Sequence, residues 1–395
     1  MDFDFSDEQR MLRDLAREFL TEQCPVGHVR AMMADPTGYD PAIYRRMADL
    51  GLLGLPFPES YGGTGLGMVE QAIVLEEMGR VAYPGPYVAS VVLAGSAIMA
   101  SGDDNARARY LPNLGTGELT ATLAFLEDDL NWGPGAIAQR ATEDGDGYRL
   151  NGLKRFVPFA HAVDTILVVA RTGEGDGPDG VTLLAVKRES AGMTVDPNVT
   201  LDLDSKVGTL HFDNVRVPKA DVVGAPGGAW PAVEATLRRA AVAAAAEILG
   251  ATRKSLEMSV EYAKVREQFG QPIGSFQAIK HKLAEMLELA ENAHSAVYYA
   301  AWALAADAPD AALAASVAKS TVNEASRRVC GEAIQVHGGI GFTWEYDLHL
   351  YVKRAKHLEP LYGDADFHRE RALQVLLARE AAREAKADAV PALAS

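Results

Sequence analysis

Cysteine is nearly absent: Cys24 and Cys330 are the only two in 395 residues. Two cysteines cannot build a disulfide framework, and neither lies in a C-x-x-C pair or a spaced Cys/His cluster, which argues against a stapled secreted fold and a structural zinc site. The nine histidines, His281 and His337 among them, show no metal-ligand spacing, and no metal is expected. Long apolar runs are missing too: the best stretch, Val88 to Ala100, is too short to cross a bilayer and is broken by Gly95. The opening MDFDFSDEQRMLRDLAREFL is acidic and amphipathic rather than basic and then apolar, so it does not read as a secretory signal. Basic residues are outnumbered, 38 against 54 acidic ones, for a formal charge of -16. With no concentrated basic face, neither nucleic acid nor an anionic membrane surface is an expected partner. A reducing cytoplasm is the expected location.

Apolar material is ample, at 48% of the chain, and the length exceeds one ordinary core, so two or three domains are expected. Ser6 and Gln9 have the S-x-x-Q spacing of a capping box, and Met11, Leu12, Leu15, Phe19 and Leu20 follow at helical spacing. Helical texture continues through Tyr39 to Leu53, Met68 to Met78, Ala89 to Met99 and Asn105 to Tyr110. After Gly117 it gives way to short β-type runs, LTATLAF, YRLNGLKRFV, TILVVAR, VTLLAV and KVGTLHFDNVRVP, divided by turns such as EDGDG. Beyond Gly224 to Trp230, alanine-rich amphipathic segments at 231–262, 275–306, 311–337 and 364–385 have the pattern of a helical bundle. The expected fold class is mostly α with a central antiparallel β domain. Its divisions are a helical domain at 1–118, a β domain at 119–227, a helical bundle at 228–385 and a flexible tail at 386–395.

Four stretches carry a resemblance: LGLLGLPFPESYGGTG from Leu50, GYRLNGLKRF from Gly147, YAKVREQFGQPIGSFQAIKHKLAEM from Tyr262 and QVHGGIGFTWEYDLHLYVKRAK from Gln335. Together, and in this order, they resemble the acyl-CoA dehydrogenase family over nearly the whole chain. The resemblance implies FAD as cofactor, held partly by a half-site that the C-terminal bundle lends to a neighbouring subunit. A homo- or hetero-oligomer, dimer or tetramer, follows from that. It implies that Arg266 meets the FAD pyrophosphate and that Gln268 and Phe269 meet the adenosine part. Gln335, Gly338 and Gly339 would bring backbone close to the cofactor. Arginine suits a diphosphate because its planar fork gives paired, charge-assisted hydrogen bonds.

The chain departs from the family pattern where the flavin ring should lie. The usual T-E-P-x-A-G-S-D stretch is replaced by LEDDLNWGPGAIA, which puts Leu126 in place of a threonine. The aromatic-Ile-Thr pattern reads Phe156, Val157, Pro158; Phe156 can stack on the ring, but Pro158 brings neither a hydroxyl nor an amide donor. Such departures resemble those of a subunit specialised to complement a partner, as in heteromeric family members from sterol-degrading bacteria.

Family chemistry needs a carboxylate that removes the proton next to the thioester carbonyl while the β-carbon passes a hydride to flavin. The two usual positions hold Ala240 and, in EPLYGDAD, Tyr362 or Gly363. Glu247, two helical turns beyond Ala240 on nearly the same face, is the best remaining candidate. In its apolar setting, burial would raise its pKa toward that of a base. The alternative is that it pairs with a basic residue on a neighbouring helix. Asp364 and Asp366 are weaker candidates, expected to be solvated or to cap the last helix. Arg238 and Arg239 are candidates for the coenzyme A phosphates, or else mark a solvent-exposed helix start. The alanine run 240–246 suits either a wide acyl group or close helix packing. The expected activity is α,β-dehydrogenation of an acyl-CoA thioester, with electrons leaving through an electron-transfer flavoprotein. The competing expectation is a non-catalytic partner subunit that completes the FAD site of a sister chain.

Overall fold

The structure, a computed structural model, describes residues 4–388; the tail expected to be flexible lies outside the described residues beyond Asp388. The N-terminal helical domain comprises α1 (Asp7–Gln23), α2 (Val26–Ala34), α3 (Pro41–Asp49), α4 (Met68–Arg80), a wide π-helical stretch over Val88–Gly95 that runs into α5 (Ser96–Ala100), and α6 (Asp104–Gly115). The Ser6–Gln9 box forms: Ser6 Oγ accepts from Gln9 N–H, and Gln9 Oε1 accepts from Ser6 N–H. The carboxylates of Asp40 and Asp103 take free N–H groups at the starts of α3 and α6.

The middle domain is a sandwich of two four-stranded sheets. Its strands are β1 (Ala121–Ala124), β2 (Ala141–Asp144), β3 (Gly147–Pro158), β4 (Thr165–Arg171), β5 (Val181–Lys187), β6 (Met193–Asn198), β7 (Val207–Pro218) and β8 (Val222–Val223). One sheet has the order β1-β4-β5-β8 and the other β2-β3-β7-β6. The sheets are antiparallel as expected except at one edge, where β1 pairs with β4 in parallel, Ala121 opposite Thr165. The strand enters from the helical domain already running in the direction of β4, and a long connection separates the two, as parallel pairing requires. TILVVAR is apolar throughout because β4 is buried on both faces. Ile166, Val168 and Ala170 pack into the sandwich, while Leu167 and Val169 join the core shared with the helices.

The C-terminal bundle contains α7 (Trp230–Val265), a tight hairpin of β9 (Glu267–Gln268) and β10 (Gln271–Pro272), α8 (Gln277–Ala305), α9 (Ala311–His337), α10 (Leu348–Leu358) and α11 (Ala365–Asp388). The alanine run 240–246 is buried along its whole length, which close helix packing accounts for. At the crossing of α4 and α7 the backbones nearly touch. A Cβ on Gly79 would lie 2.0 Å from the Glu247 carbonyl oxygen, and one on Gly250 would lie 1.9 Å from that of Glu76. Glycine at both positions fixes the approach, and so fixes where α7 presents Glu247.

Candidate active site

The ends of α7 and α9 meet at one end of the bundle. Tyr262 stacks on His337 with ring centroids 4.5 Å apart, and His337 Nε2 lies 3.0 Å from the Tyr346 hydroxyl. This contact brings the two C-terminal boxes together. Arg266 leaves α7 as its cap residue, exposed and without a side-chain hydrogen bond among the described residues. Phe269 occupies the hairpin turn at φ 54° and is 94% exposed; Phe276 lies edge-on to its ring at 6.1 Å. Gln268 and Gln335 are exposed. Gly338 turns the chain at φ 65°, and a Cβ on either Gly338 or Gly339 would meet nothing within 4 Å, so the backbone there is open to a ligand.

Glu247 lies elsewhere, buried between the bundle and the β domain. Its Oε1 accepts from Arg354 Nη1 at 2.6 Å. Arg354 on α10 is itself buried and also bonds Asp202 through Nε at 2.5 Å and the Tyr83 carbonyl at 3.0 Å. Asp204 Oδ1 lies 3.2 Å from its Nη2. Burial raises the pKa of Glu247, against the pull of Arg354, which lowers it. The neighbouring-helix pairing weighed for Glu247 is therefore present, and the carboxylate also lines a cavity of about 60 Å³ with Pro158, His357, Leu361 and Tyr362.

Tyr362, at φ 60°, is a wall of this cavity and of two smaller ones. One, about 40 Å³, is lined by Trp132, Arg238, His368 and Arg371; the other, about 20 Å³, by Leu126, Trp132, Phe156 and Pro158. Trp132 stacks on Phe125 at 5.7 Å and packs against Tyr362 at 5.5 Å, so the two aromatics divide what would otherwise be one cleft. The loop that carries Trp132 is anchored by Glu127, which accepts from the N–H groups of Ala138 and Gln139 and pairs with the buried Lys154 at 2.7 Å.

Comparison with known proteins is decisive. The sequence matches the acyl-CoA dehydrogenase N-terminal domain over residues 6–118, the middle domain over 133–215 and the C-terminal domain over 227–377. The chain belongs to the acyl-CoA dehydrogenase family. It is 32% identical over 375 residues to the probable acyl-CoA dehydrogenase YngJ of Bacillus subtilis, a match covering 93% of this chain and 98% of the relative. Butyryl-CoA dehydrogenase from Megasphaera elsdenii superposes with a TM-score of 0.88 at 28% identity, over 95% of this chain and all of the other. A variant of the steroid acyl-CoA dehydrogenase Tcur3481–Tcur3483 superposes with a TM-score of 0.84 at 33% identity, over 95% of this chain and 99% of the other.

As an acyl-CoA dehydrogenase the chain is an FAD-dependent oxidoreductase acting on CH–CH bonds, and the two regions expected to meet FAD fit the cofactor unequally. The nucleotide region fits: an uncommitted guanidinium, exposed aromatic and amide side chains and open glycine backbone lie together. The ring region does not. A cleft of about 20 Å³ beside Phe156 has room for about one water, and with Trp132 in this position an isoalloxazine ring cannot enter. Phe156 itself is 41% exposed and held at φ 50°.

Of the other sequence candidates, Asp364 accepts from Phe367 N–H and so caps α11, and Asp366 is exposed and pairs with Arg369. Arg238 and Arg239 are half-buried rather than on an exposed helix start; Arg238 lines the 40 Å³ cavity, and burial lowers the pKa of Arg239. Sequence reasoning missed Arg354, Asp202, Asp204, Arg371 and Trp132. Arg354 had a signal: it falls on the stripe of α10 that buries Tyr351, Ala355 and Leu358. A charge on a buried stripe needs partners, and three carboxyl groups supply them.

Proposed function

We propose that Glu247 is the base that removes the α-proton of the acyl-CoA thioester. The observation that carries this reading is a buried carboxylate with one oxygen held by Arg354, set in the wall of a cavity shared with Pro158 and Tyr362. FAD, admitted once Trp132 moves out of the ring cleft, would supply the hydride acceptor. Glu247 takes the proton, Arg354 orients its carboxylate, and the apolar lining keeps water from competing for it. Arg238 and Arg371, which line the 40 Å³ cavity with Trp132, and Arg239, next to Arg238 on α7, meet the coenzyme A phosphates.

The exposed region formed by Arg266, Gln268, Phe269, Gln335, Gly338 and Gly339 serves the FAD of a neighbouring subunit, so the working form is an oligomer. Exposed aromatic surface supports this, since a 94% exposed phenylalanine on a rigid hairpin is poorly suited to water. Likeness to the steroid enzyme named above supports a bulky acyl group of the steroid kind and a heteromeric assembly, and the scarcity of cysteine fits a cytoplasmic location. Among the described residues no helix is long and apolar enough to cross a membrane. Electrons leave to an electron-transfer flavoprotein.

The test is exchange of the α-hydrogens of saturated acyl-CoA thioesters, from butyryl-CoA to ring-bearing ones, with deuterium oxide. Exchange needs the base and not the flavin's redox step. Glu247→Gln should abolish it, and unchanged exchange would remove Glu247 from the reaction.

A further inference from the structure

The guanidinium of Arg354 is shared unequally. Its Nη1 reaches Glu247 and its Nε reaches Asp202, while Asp204 lies against Nη2 with no hydrogen-bonded partner for either oxygen among the described residues. Three buried carboxyl groups thus face one cation. Asp202 and Asp204 come from the segment between β6 and β7, on the β domain, whereas Glu247 and Arg354 come from the bundle. Asp202 is the better supported of the pair: its Oδ2 also accepts from Ser205 Oγ at 2.7 Å.

We propose that Asp202 is a positioning residue for the α-proton transfer: by occupying the Nε edge of Arg354, it withholds part of the guanidinium charge from Glu247 and keeps that carboxylate a competent base. The inference rests on Glu247 being the base. An arginine given wholly to Glu247 would stabilise the ionised form and make it a poor proton acceptor. An arginine removed altogether would leave a buried carboxylate protonated and equally idle. Sharing sets a value between the two. The pKa directions agree with this reading. Asp202 is held well below the usual carboxylate range, burial working against it and Arg354 prevailing, while burial pushes Asp204 well above it. Asp202, hydrogen-bonded to both Arg354 and Ser205, is the carboxylate that competes with Glu247 for the guanidinium.

The other groups facing Glu247 come from three elements. His357 on α10 is kept neutral, chiefly by burial. Tyr362, on the turn after α10, has its hydroxyl pKa raised by burial and by Glu247 itself, and so carries no charge. Lys206, beside Asp204 in the same cavity wall, gives its ammonium to the Met33 carbonyl at 2.8 Å. None of them replaces Asp202 as a counterweight.

The experiment follows deuterium exchange at the α-carbon of a saturated acyl-CoA against pH, using the FAD-loaded protein. In the wild type the acidic limb, which reports Glu247, should lie above the ordinary glutamate value of about 4.3. Asp202→Asn keeps the shape and an acceptor for Arg354 but removes the charge. It should move the limb down by roughly one unit and slow exchange on the plateau several-fold, as expected of a weaker base. Asp204→Asn, which changes a group that makes no hydrogen bond to Arg354 among the described residues, should move the limb less. A slower Asp202→Asn protein whose limb stays in place would mean a merely structural role and overturn the proposal. If that variant does not fold, a wild-type limb at or below the ordinary value overturns it instead. Exchange that survives Glu247→Gln would fail the reading of the base, a result distinguishable from either of these.

Discussion

Gly250 on α7 sits so close to Glu76 on α4 that a methyl group at its Cα would be 1.9 Å from the Glu76 carbonyl oxygen. Gly79 makes the reciprocal approach to the carbonyl of Glu247. Gly250→Ala would favour the helix locally by about 1 kcal/mol. Overpacking against backbone, which cannot rotate away, costs about 1–3 kcal/mol and should prevail. The expected result is a lower urea midpoint together with slower α-hydrogen exchange, because the displaced α7 carries Glu247. A variant that gains stability would show that the crossing can open without strain.

The same crossing marks what could be read without coordinates. The capping box of Ser6 and Gln9, the alanine-rich helices and the two C-terminal boxes are local patterns, and local patterns are legible. Helix α2 buries only Val29, and β6 has no fully buried residue, so neither carries an apolar period strong enough to detect. Glu247 could be singled out because it interrupts an apolar run. Its surroundings could not: Asp202 meets Arg354 across 152 positions, from an irregular segment of another domain. Trp132 likewise lies on a loop whose course is set by the buried Lys154–Glu127 pair rather than by its own residues. Of the residues at the usual base positions, Ala240 is packed in a helix interface, while Tyr362, which with Gly363 is a candidate for the other position, is aimed into the cleft, and only the packing separates those two fates.

His368 supplies a stability signature in acid. Buried behind Tyr362, it lies 3.0 Å from that residue's carbonyl oxygen through Nε2, and burial lowers its pKa to about 4 from the ordinary 6.5. A base with a depressed folded-state pKa stays neutral when folded while the unfolded chain takes up a proton. Stability is therefore complete above about 6.5 and is lost as pH falls toward 4, by about 3 kcal/mol in all. His368→Gln should flatten the urea midpoint against pH across that window relative to the wild type. Parallel curves for the two proteins would place the titration elsewhere.

Trp132 closes the ring cleft, so its removal should help FAD rather than hinder it. The indole stacks on Phe125 at 5.7 Å, and displacing such a contact costs about 0.5–1.5 kcal/mol beyond the area it covers. Trp132→Ala should tighten FAD binding about two- to tenfold in equilibrium dialysis. In the wild type, FAD should change the fluorescence contributed by Trp132. If the variant binds FAD more weakly, the indole supports the ring instead of excluding it.

Arg266 gives the cleanest test of the nucleotide region, because nothing in the fold depends on its side chain. Its backbone is pinned on both sides: its N–H donates to the Tyr262 carbonyl at 2.9 Å, and its carbonyl accepts from Ile273 N–H at 2.7 Å. The guanidinium is exposed and makes no hydrogen bond within the described residues, so Arg266→Ala should leave thermal unfolding of the apo protein within about 0.5 kcal/mol of the wild type. A paired, charge-assisted contact to a diphosphate contributes about 1.5–3 kcal/mol, so FAD should bind about 10- to 100-fold more weakly. Arg266→Lys keeps the charge but loses the fork and should fall between the two. The deficit should shrink as salt is added, because the interaction is ionic and exposed. If Arg266→Ala retains full FAD affinity, the bundle end is not the diphosphate site, and the case for a cofactor shared between subunits falls with it.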